Sequence, residues 1–204
     1  MNVELIAITH YLRGNNTPEE LLERAGRVCY RSESNDNPGK FLCARIRDGH
    51  ESIIEHASAT FEISGISRAC SHQLVRHRLA SYSQESQYFV DMSDPEWVVP
   101  FEIIENPDAT AVWGKLTQAA KHAYGELRAL GICMADARFV LPNAAATRIV
   151  VTMNFRMLRH LFNVRITPRN NAEIREVCLR MLDIIYPYAP SVFGDLWNAS
   201  WEDK

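Results

Sequence analysis

Apolar and polar positions alternate in two rhythms along this chain, and each rhythm predicts its own elements. VELIAI at 3–8 reads as a first strand. Thr17-Pro18-Glu19-Glu20 supplies an N-cap hydroxyl, a proline at the first helical position and a glutamate placed to complete a capping box, so a helix is predicted from there to about Tyr30. A polar, turn-rich loop, SESNDNPG at 32–39, precedes a second helix over KFLCARIRDG, stopped by Gly49. Ala57, Ala59, Phe61 and Ile63 alternate with Ser58, Thr60 and Glu62, which is the period of a strand. Ile66 to about His77 reads as a helix that carries an Arg-His-Arg triplet at its end, and SYSQESQYF follows as loop or irregular strand. Between Asp108 and Leu130, apolar Val112, Leu116, Ala119, Ala123, Leu127 and Leu130 recur at helical steps, predicting a long amphipathic helix closed by Gly131. TRIVVTMNF at 147–155 is β-rich, and Ile174, Val177, Cys178, Met181, Leu182 and Ile185 mark another helix before Pro187. Helices and strands mixed without a regular βαβ rhythm predict an α+β fold with a small central antiparallel or mixed sheet, in a single domain over 1–204.

Composition narrows the function classes. With 47% hydrophobic and 23% charged residues, the chain has enough apolar material for a sizeable core. The N-terminus MNVELIAITHYL lacks a basic segment ahead of a long apolar run, and no apolar run approaches the length of a membrane span, so a cytoplasmic protein is expected. Five cysteines without a C-x-x-C pair suggest neither a disulfide framework nor a cysteine zinc site, and they read as buried thiols. A net charge of −3 argues against nucleic-acid polymers and membrane surfaces as partners. Any anion site must therefore be local. Of the 22 basic residues, 18 are arginine. Genomic base composition explains such a bias, and so does a need for planar two-pronged donors to phosphate, carboxylate or a base edge; both readings stay open.

The histidines and carboxylates of His50-Glu51-Ser52-Ile53-Ile54-Glu55-His56 invite a metal site, but the spacing opposes it. Histidines six apart lie about 120° away from each other around a helix, whereas the four-residue spacing of H-E-x-x-H puts both on one face. No glycine-rich phosphate loop occurs, and Ser81, Ser83 and Ser86 lie in no nucleophile elbow. The stretch RHRLASYSQESQYF at 76–89 concentrates the remaining chemistry. Arg76 and Arg78 offer forks, Gln73, Gln84 and Gln87 paired donors and acceptors, and Ser81, Ser83 and Ser86 hydroxyls, a set suited to a nucleoside monophosphate.

These residues also resemble a family. Gln73 to Ser86, QLVRHRLASYSQES, looks like the R-H-R-x-x-S-x-x-x-x-S signature of the flavin-dependent thymidylate synthases. The likeness continues in GHESIIEH before it and in ARFVLP at 137–142, NFRMLRH at 154–160 and NVR…EIR after it, over about residues 45–180. The resemblance implies reductive methylation at uracil C5 of a 5'-monophosphate, with methylenetetrahydrofolate as carbon donor and with reduced FAD, regenerated by NADPH, as hydride donor. It implies that Arg76, His77 and Arg78 hold the flavin, with Arg76 also near the pyrimidine, joined by Ser52, Gln84, Asn154, Phe155, Arg156 and His160. His50 would lie beside flavin and folate. Gln73, Gln84, Glu85, Ser86, Gln87, Tyr88 and Arg138 match the nucleotide-binding set, and Arg165 matches an arginine that stabilises N3-ionised uracil, the electron-rich form from which C5 attacks an electrophile. Ser86 is a catalytic candidate as a nucleophile, although the sequence supplies it no obvious base and a phosphate hydrogen bond suits it better. The family also implies a homotetramer with composite sites.

Two places depart from the family pattern. The signature's closing arginine is Tyr88 here, which exchanges a fixed charge and a two-pronged donor for one hydroxyl and a ring. The usual A-Q-x-E-I-R reads Asn170-Asn171-Ala172-Glu173-Ile174-Arg175. Both departures question whether dUMP or UMP is the substrate. The Tyr88 change also motivates an alternative, a flavin- or nucleotide-binding homologue without methylating activity.

Overall fold

In the computed structural model, residues 1–33 and 37–202 are described. The elements follow in the order β1 (Asn2–Ile8), α1 (Pro18–Tyr30), α2 (Pro38–Arg47), β2 (Ser58–Ser67), α3 (Arg68–Leu74), β3 (Ala80–Gln84), α4 (Phe101–Ile104), α5 (Pro107–Ala129), α6 (Met134–Ala137), β4 (Ala146–Asn154), α7 (Phe155–Arg165), α8 (Ala172–Ile185) and α9 (Pro190–Glu202). The fold is α+β, with one four-stranded antiparallel sheet of order β1-β2-β4-β3. No described helix is long and apolar enough to cross a membrane.

Local chemistry sets the boundaries. The Thr17 side chain accepts from Glu20 N while Glu20 reaches back to the Thr17 backbone, and Pro18 occupies the first turn of α1. Asn37 caps α2 by accepting from Lys40 N; this helix starts earlier than the sequence suggests, because Pro38 is tolerated at its first position. The middle of the SESNDNPG loop lies outside the described residues. Gly49 and Gly131 end their helices at φ +78° and +84°, a left-handed conformation that glycine adopts without penalty from a Cβ.

The chain divides into two compact units. The first comprises Met1–Asn2, Ile63–Arg76 and Ser83–Ile149. Its core gathers Met92, Tyr124, Ala137 and Ala145, with Trp97, Leu127, Val140 and Leu141 packed against them. The Tyr124 hydroxyl accepts from Met92 N and donates to Asp91, both at 3.2 Å. Here the amphipathic stripe of α5 takes an unexpected direction. Thr117, Ala120 and Tyr124 are the buried residues, while Val112, Leu116 and Leu130 remain 68%, 55% and 78% exposed. The core accepts the face that carries the tyrosine, because that ring both fills volume and satisfies a backbone donor.

The second unit comprises Val3–Glu62, His77–Tyr82 and Val150–Lys204. Asn154 caps α7 by accepting from Met157 N, so the strand β4 turns directly into a helix that the β-rich sequence concealed. Phe155 and Phe162 of α7 pack edge-to-face on Phe193 of α9. Arg159, buried on the same helix, forms a two-pronged pair with Asp195 at 2.7 Å on both arms. All six apolar positions expected along α8 are buried. The cysteines correct the expectation of buried thiols: Cys70 and Cys178 are buried, whereas Cys29, Cys43 and Cys133 are exposed. Their exposure follows from position, since Cys29 lies in the last turn of α1 and Cys133 immediately before α6.

Candidate functional site

In the first unit, β3 and the turn after it present the amide and hydroxyl series. Gln84 donates through Nε2 to Ser71 Oγ at 2.9 Å and to Thr147 Oγ1 at 3.2 Å, which orients its carbonyl oxygen as the remaining acceptor. Ser86 organises the turn. Its hydroxyl oxygen accepts from Tyr88 N at 3.2 Å, and its carbonyl accepts from Phe89 N and Val90 N, both at 3.0 Å. The Ser86 Oγ contact is to backbone and not to a base. Tyr88, half exposed, stands edge-to-face on Phe89 with ring centres 4.7 Å apart. Gln87 is only 7% exposed, yet its Nε2 is buried without a hydrogen-bond partner among the described residues. An orphaned buried donor costs about 1–3 kcal/mol. Its presence fits a site completed by an acceptor from a ligand.

Arg68 was not singled out in the sequence. It opens α3, and its Nη1 donates to Glu85 O at 3.4 Å. Burial and the neighbouring Arg138 charge hold its pKa below the ordinary arginine value, with Glu85 acting in the opposite direction. Arg138 itself donates Nε to Ala135 O at 3.0 Å and forms no ion pair among the described residues. Two arginines that repel each other, only partly offset by Glu85, suit a dianion. The available signal was an arginine at the first position of a helix, where the backbone dipole disfavours a cation. A cavity of about 500 Å³ in this unit is lined by Glu85, Asp91, Asp94 and Glu96 beside Thr147 and Arg148, an acidic wall poorly suited to phosphate. Gln73 lies on α3, and Arg76 follows it, exposed and without an ion pair among the described residues.

In the second unit, His77, His160 and Arg165 come together. The Arg165 Nε donates to His77 Nε2 at 3.1 Å and Nη1 donates to Asn170 Oδ1 at 3.4 Å. The His77 and His160 rings meet edge-on at 5.6 Å. Burial, then the Arg165 charge, then His160 press the His77 pKa down to about 4. His77 is therefore neutral, and because Nε2 accepts, its proton sits on Nδ1. Tyr82 donates its hydroxyl to His77 O at 2.9 Å, and burial raises both Tyr82 and Cys178 to about 12, Arg165 pulling weakly the other way on the thiol. Asn170 also donates to Val164 O and Thr167 Oγ1, at 2.7 and 2.8 Å, so its amide is a rigid support for the guanidinium. Asn171 caps α8 by accepting from Glu173 N. Both family departures at 170–171 thus serve local structure.

The other expected flavin residues take varied positions. Arg78 and His160 are exposed; Arg156 is engaged by Glu55 at 2.5 Å and Glu51 at 3.7 Å. Phe155 is fully buried in the core with its backbone N donating to Ala57 O at 2.9 Å, and Asn154 spends its side-chain oxygen on the α7 cap. Ser52 lies exposed on the 3-10 turn Glu51–His56, just after His50. Arg159 and Arg180 instead serve in ion pairs, with Asp195 and Glu176.

One pH prediction arises directly. The unfolded chain binds a proton at His77 near pH 6.5 and the folded chain only near 4, so the unfolded state holds more protons in between. Stability at this group is complete above about pH 6.5 and falls as the pH drops toward 4, by at most about 3 kcal/mol. A thermal-melting series across that window should show a flatter slope in His77→Gln than in the native protein.

Comparison with other proteins gives these residues a family. Residues 8–191 match the family described as thymidylate synthase complementing protein. Over 203 residues the chain is 43% identical to the flavin-dependent thymidylate synthase of Mycobacteroides abscessus, covering 90% of this chain and 81% of that one. It is 43% identical over 189 residues to the enzyme of the same name from Geobacter sulfurreducens, covering 87% and 82%. A third, from Mycobacterium avium, is 38% identical over 231 residues, covering 100% and 92%. The chain belongs to this family of enzymes.

Proposed function

We propose that this protein methylates uracil C5 of a uridine 5'-monophosphate, converting dUMP to dTMP, with methylenetetrahydrofolate as carbon donor and NADPH as the source of reducing equivalents. Bound FAD supplies the hydride in this reading. The carrying observation is Arg165, held at Nε by neutral His77 and at Nη1 by Asn170. A guanidinium fixed at two nitrogens is preorganised to stabilise negative charge developing on a uracil ring, which makes C5 nucleophilic without covalent help from a cysteine. Cys178 fits no nucleophilic role, since burial keeps it a thiol.

The nucleotide is assigned to the first-unit group. Arg68 and Arg138 take the phosphate, Ser86 keeps its hydroxyl proton for donation to it, and Gln73, Gln84, Glu85, Gln87 and Tyr88 surround base and sugar. FAD is assigned to Arg76, His77, Arg78 and His160, with His50, Ser52, Asn154 and Arg156 alongside; the exposed Arg76 and Arg78, without ion pairs among the described residues, fit the phosphates of such a group. The exposed residues Val112 and Leu116 on α5, with Leu130 at its C-cap, support assembly with further copies of this chain, as a homotetramer with shared sites.

Turnover tests the activity. Protein, FAD, NADPH and methylenetetrahydrofolate are incubated with dUMP and with UMP in parallel, and C5-methylated product is expected from dUMP. No methylated product from either nucleotide leaves the binding-only homologue as the better reading. Because Asn170 and Asn171 act within the fold, Tyr88 is the departure that bears on the sugar. Tyr88→Arg should move the dUMP to UMP preference measured as a ratio of kcat/KM; an unchanged ratio would remove position 88 from the argument.

A further inference from the structure

Tyr30, Arg45 and His50 form a connected group that the reaction as proposed leaves unexplained. Tyr30 ends α1, Arg45 lies in the last turn of α2, and His50 follows the glycine that stops α2. The Tyr30 hydroxyl is 2.8 Å from His50 Nδ1, and Arg45 Nη1 donates to the same hydroxyl at 3.2 Å. Arg45 Nη2 is anchored by Asp48 at 2.9 Å, while its guanidinium lies over the Tyr30 ring at 5.4 Å and the Phe41 ring at 6.0 Å. The backbone is tied as well: His50 N donates to Arg45 O at 2.8 Å. Arg45 Nε is buried with no hydrogen-bond partner among the described residues. A guanidinium that could swing into solvent would recover that hydrogen bond, so stacking and the two Nη contacts hold it in place at a cost.

The proton inventory sets a direction. Arg45 has only donors, so the Tyr30 oxygen accepts from it, and a hydroxyl proton directed at His50 Nδ1 lets Tyr30 use both its acceptor and its donor within the group. An Nδ1 that accepts obliges neutral His50 to carry its proton on Nε2. We propose that Arg45, acting through Tyr30, is a positioning residue that locks His50 as its Nε2–H tautomer, so that this exposed imidazole presents a donor to a ring carbonyl or ring nitrogen of a bound heterocycle. This rests on the assignment of His50 to the flavin and folate region. The shared chemistry is an acceptor-bearing fused ring, which both flavin and pterin possess.

The test reads the tautomer itself. In FAD-loaded protein labelled with 15N-histidine, two-bond nitrogen–proton correlation spectra should show His50 with a pyridine-like Nδ1 and a protonated Nε2, His50→Gln assigning the signal. Tyr30→Phe should lose that preference, and it should raise either the KM for methylenetetrahydrofolate or the Kd for FAD by about threefold to tenfold, the worth of one neutral hydrogen bond. Which of the two constants moves identifies the ring. Arg45→Met should reproduce the tautomer loss, and Arg45→Lys, which keeps a donor but not the planar stack, should restore it in part. A proton on Nδ1 in the native protein, or an unchanged tautomer in Tyr30→Phe, overturns the proposal. So does a tautomer change with neither constant altered. Absence of turnover in the native protein strikes the proposed activity instead, because the spectra and the FAD titration do not depend on it.

Discussion

Arg165→Ala should lower the methylation rate by about a hundredfold or more while FAD stays bound. The size follows from deleting one preorganised donor from the place where charge develops. The preorganisation is visible in the native contacts, since Nε is fixed on His77 and Nη1 on Asn170 before any substrate arrives. Lysine cannot reproduce two fixed nitrogens, so Arg165→Lys should recover little. The informative measurement pairs single-turnover kinetics with the flavin absorbance of the purified variant. Loss of FAD together with activity would place Arg165 in flavin binding rather than in uracil activation. Asn170→Ala offers a graded version: it removes one of the two supports, and a rate loss smaller than that of Arg165→Ala is expected at unchanged flavin content.

Arg68→Ala should raise the KM for dUMP by about tenfold to a hundredfold with a smaller change in kcat. Hydrogen bonds to charged groups contribute about 1.5–3 kcal/mol each, which corresponds to that range. Arg138→Ala should behave alike. Deoxyuridine supplies the control, because a substrate without phosphate gains nothing from either arginine. Equal weakening for nucleoside and nucleotide would show that Arg68 does not serve the phosphate. The same substitution should leave stability unchanged or slightly improved, since Arg138 and burial both disfavour the Arg68 charge in the free protein.

Particular elements explain what could be foreseen. The start of α1 was legible because a capping box involves residues three apart, and α8 because six apolar residues recur on one face. The ends at Gly49 and Gly131 were legible for a similarly local reason. The helix α7 was hidden, because the β-branched run of β4 leads straight into it and only the Asn154 side chain marks the change. The direction of α5 was hidden too. Two faces of that helix carry apolar groups, and periodicity alone does not say which one a core with a place for Tyr124 will accept. In the candidate site, the motif blocks marked His77, Arg138 and Arg165 individually, while Arg68 escaped notice because an isolated arginine says nothing about its neighbours.

By itself, then, the sequence determined what depends on residues close along the chain: the caps, the strand and helix periods, the α+β class and the motif blocks that place the protein in its family. Only the tertiary structure decided that Arg165 rests on a histidine 88 residues away, that the Arg138 charge acts on Arg68, and that Tyr30 and Arg45 converge on His50. The physical reason is range. A cap or an amphipathic period is satisfied within a few residues, whereas the partner of a guanidinium fork and the protonation state of a buried imidazole depend on which distant side chains packing brings beside them.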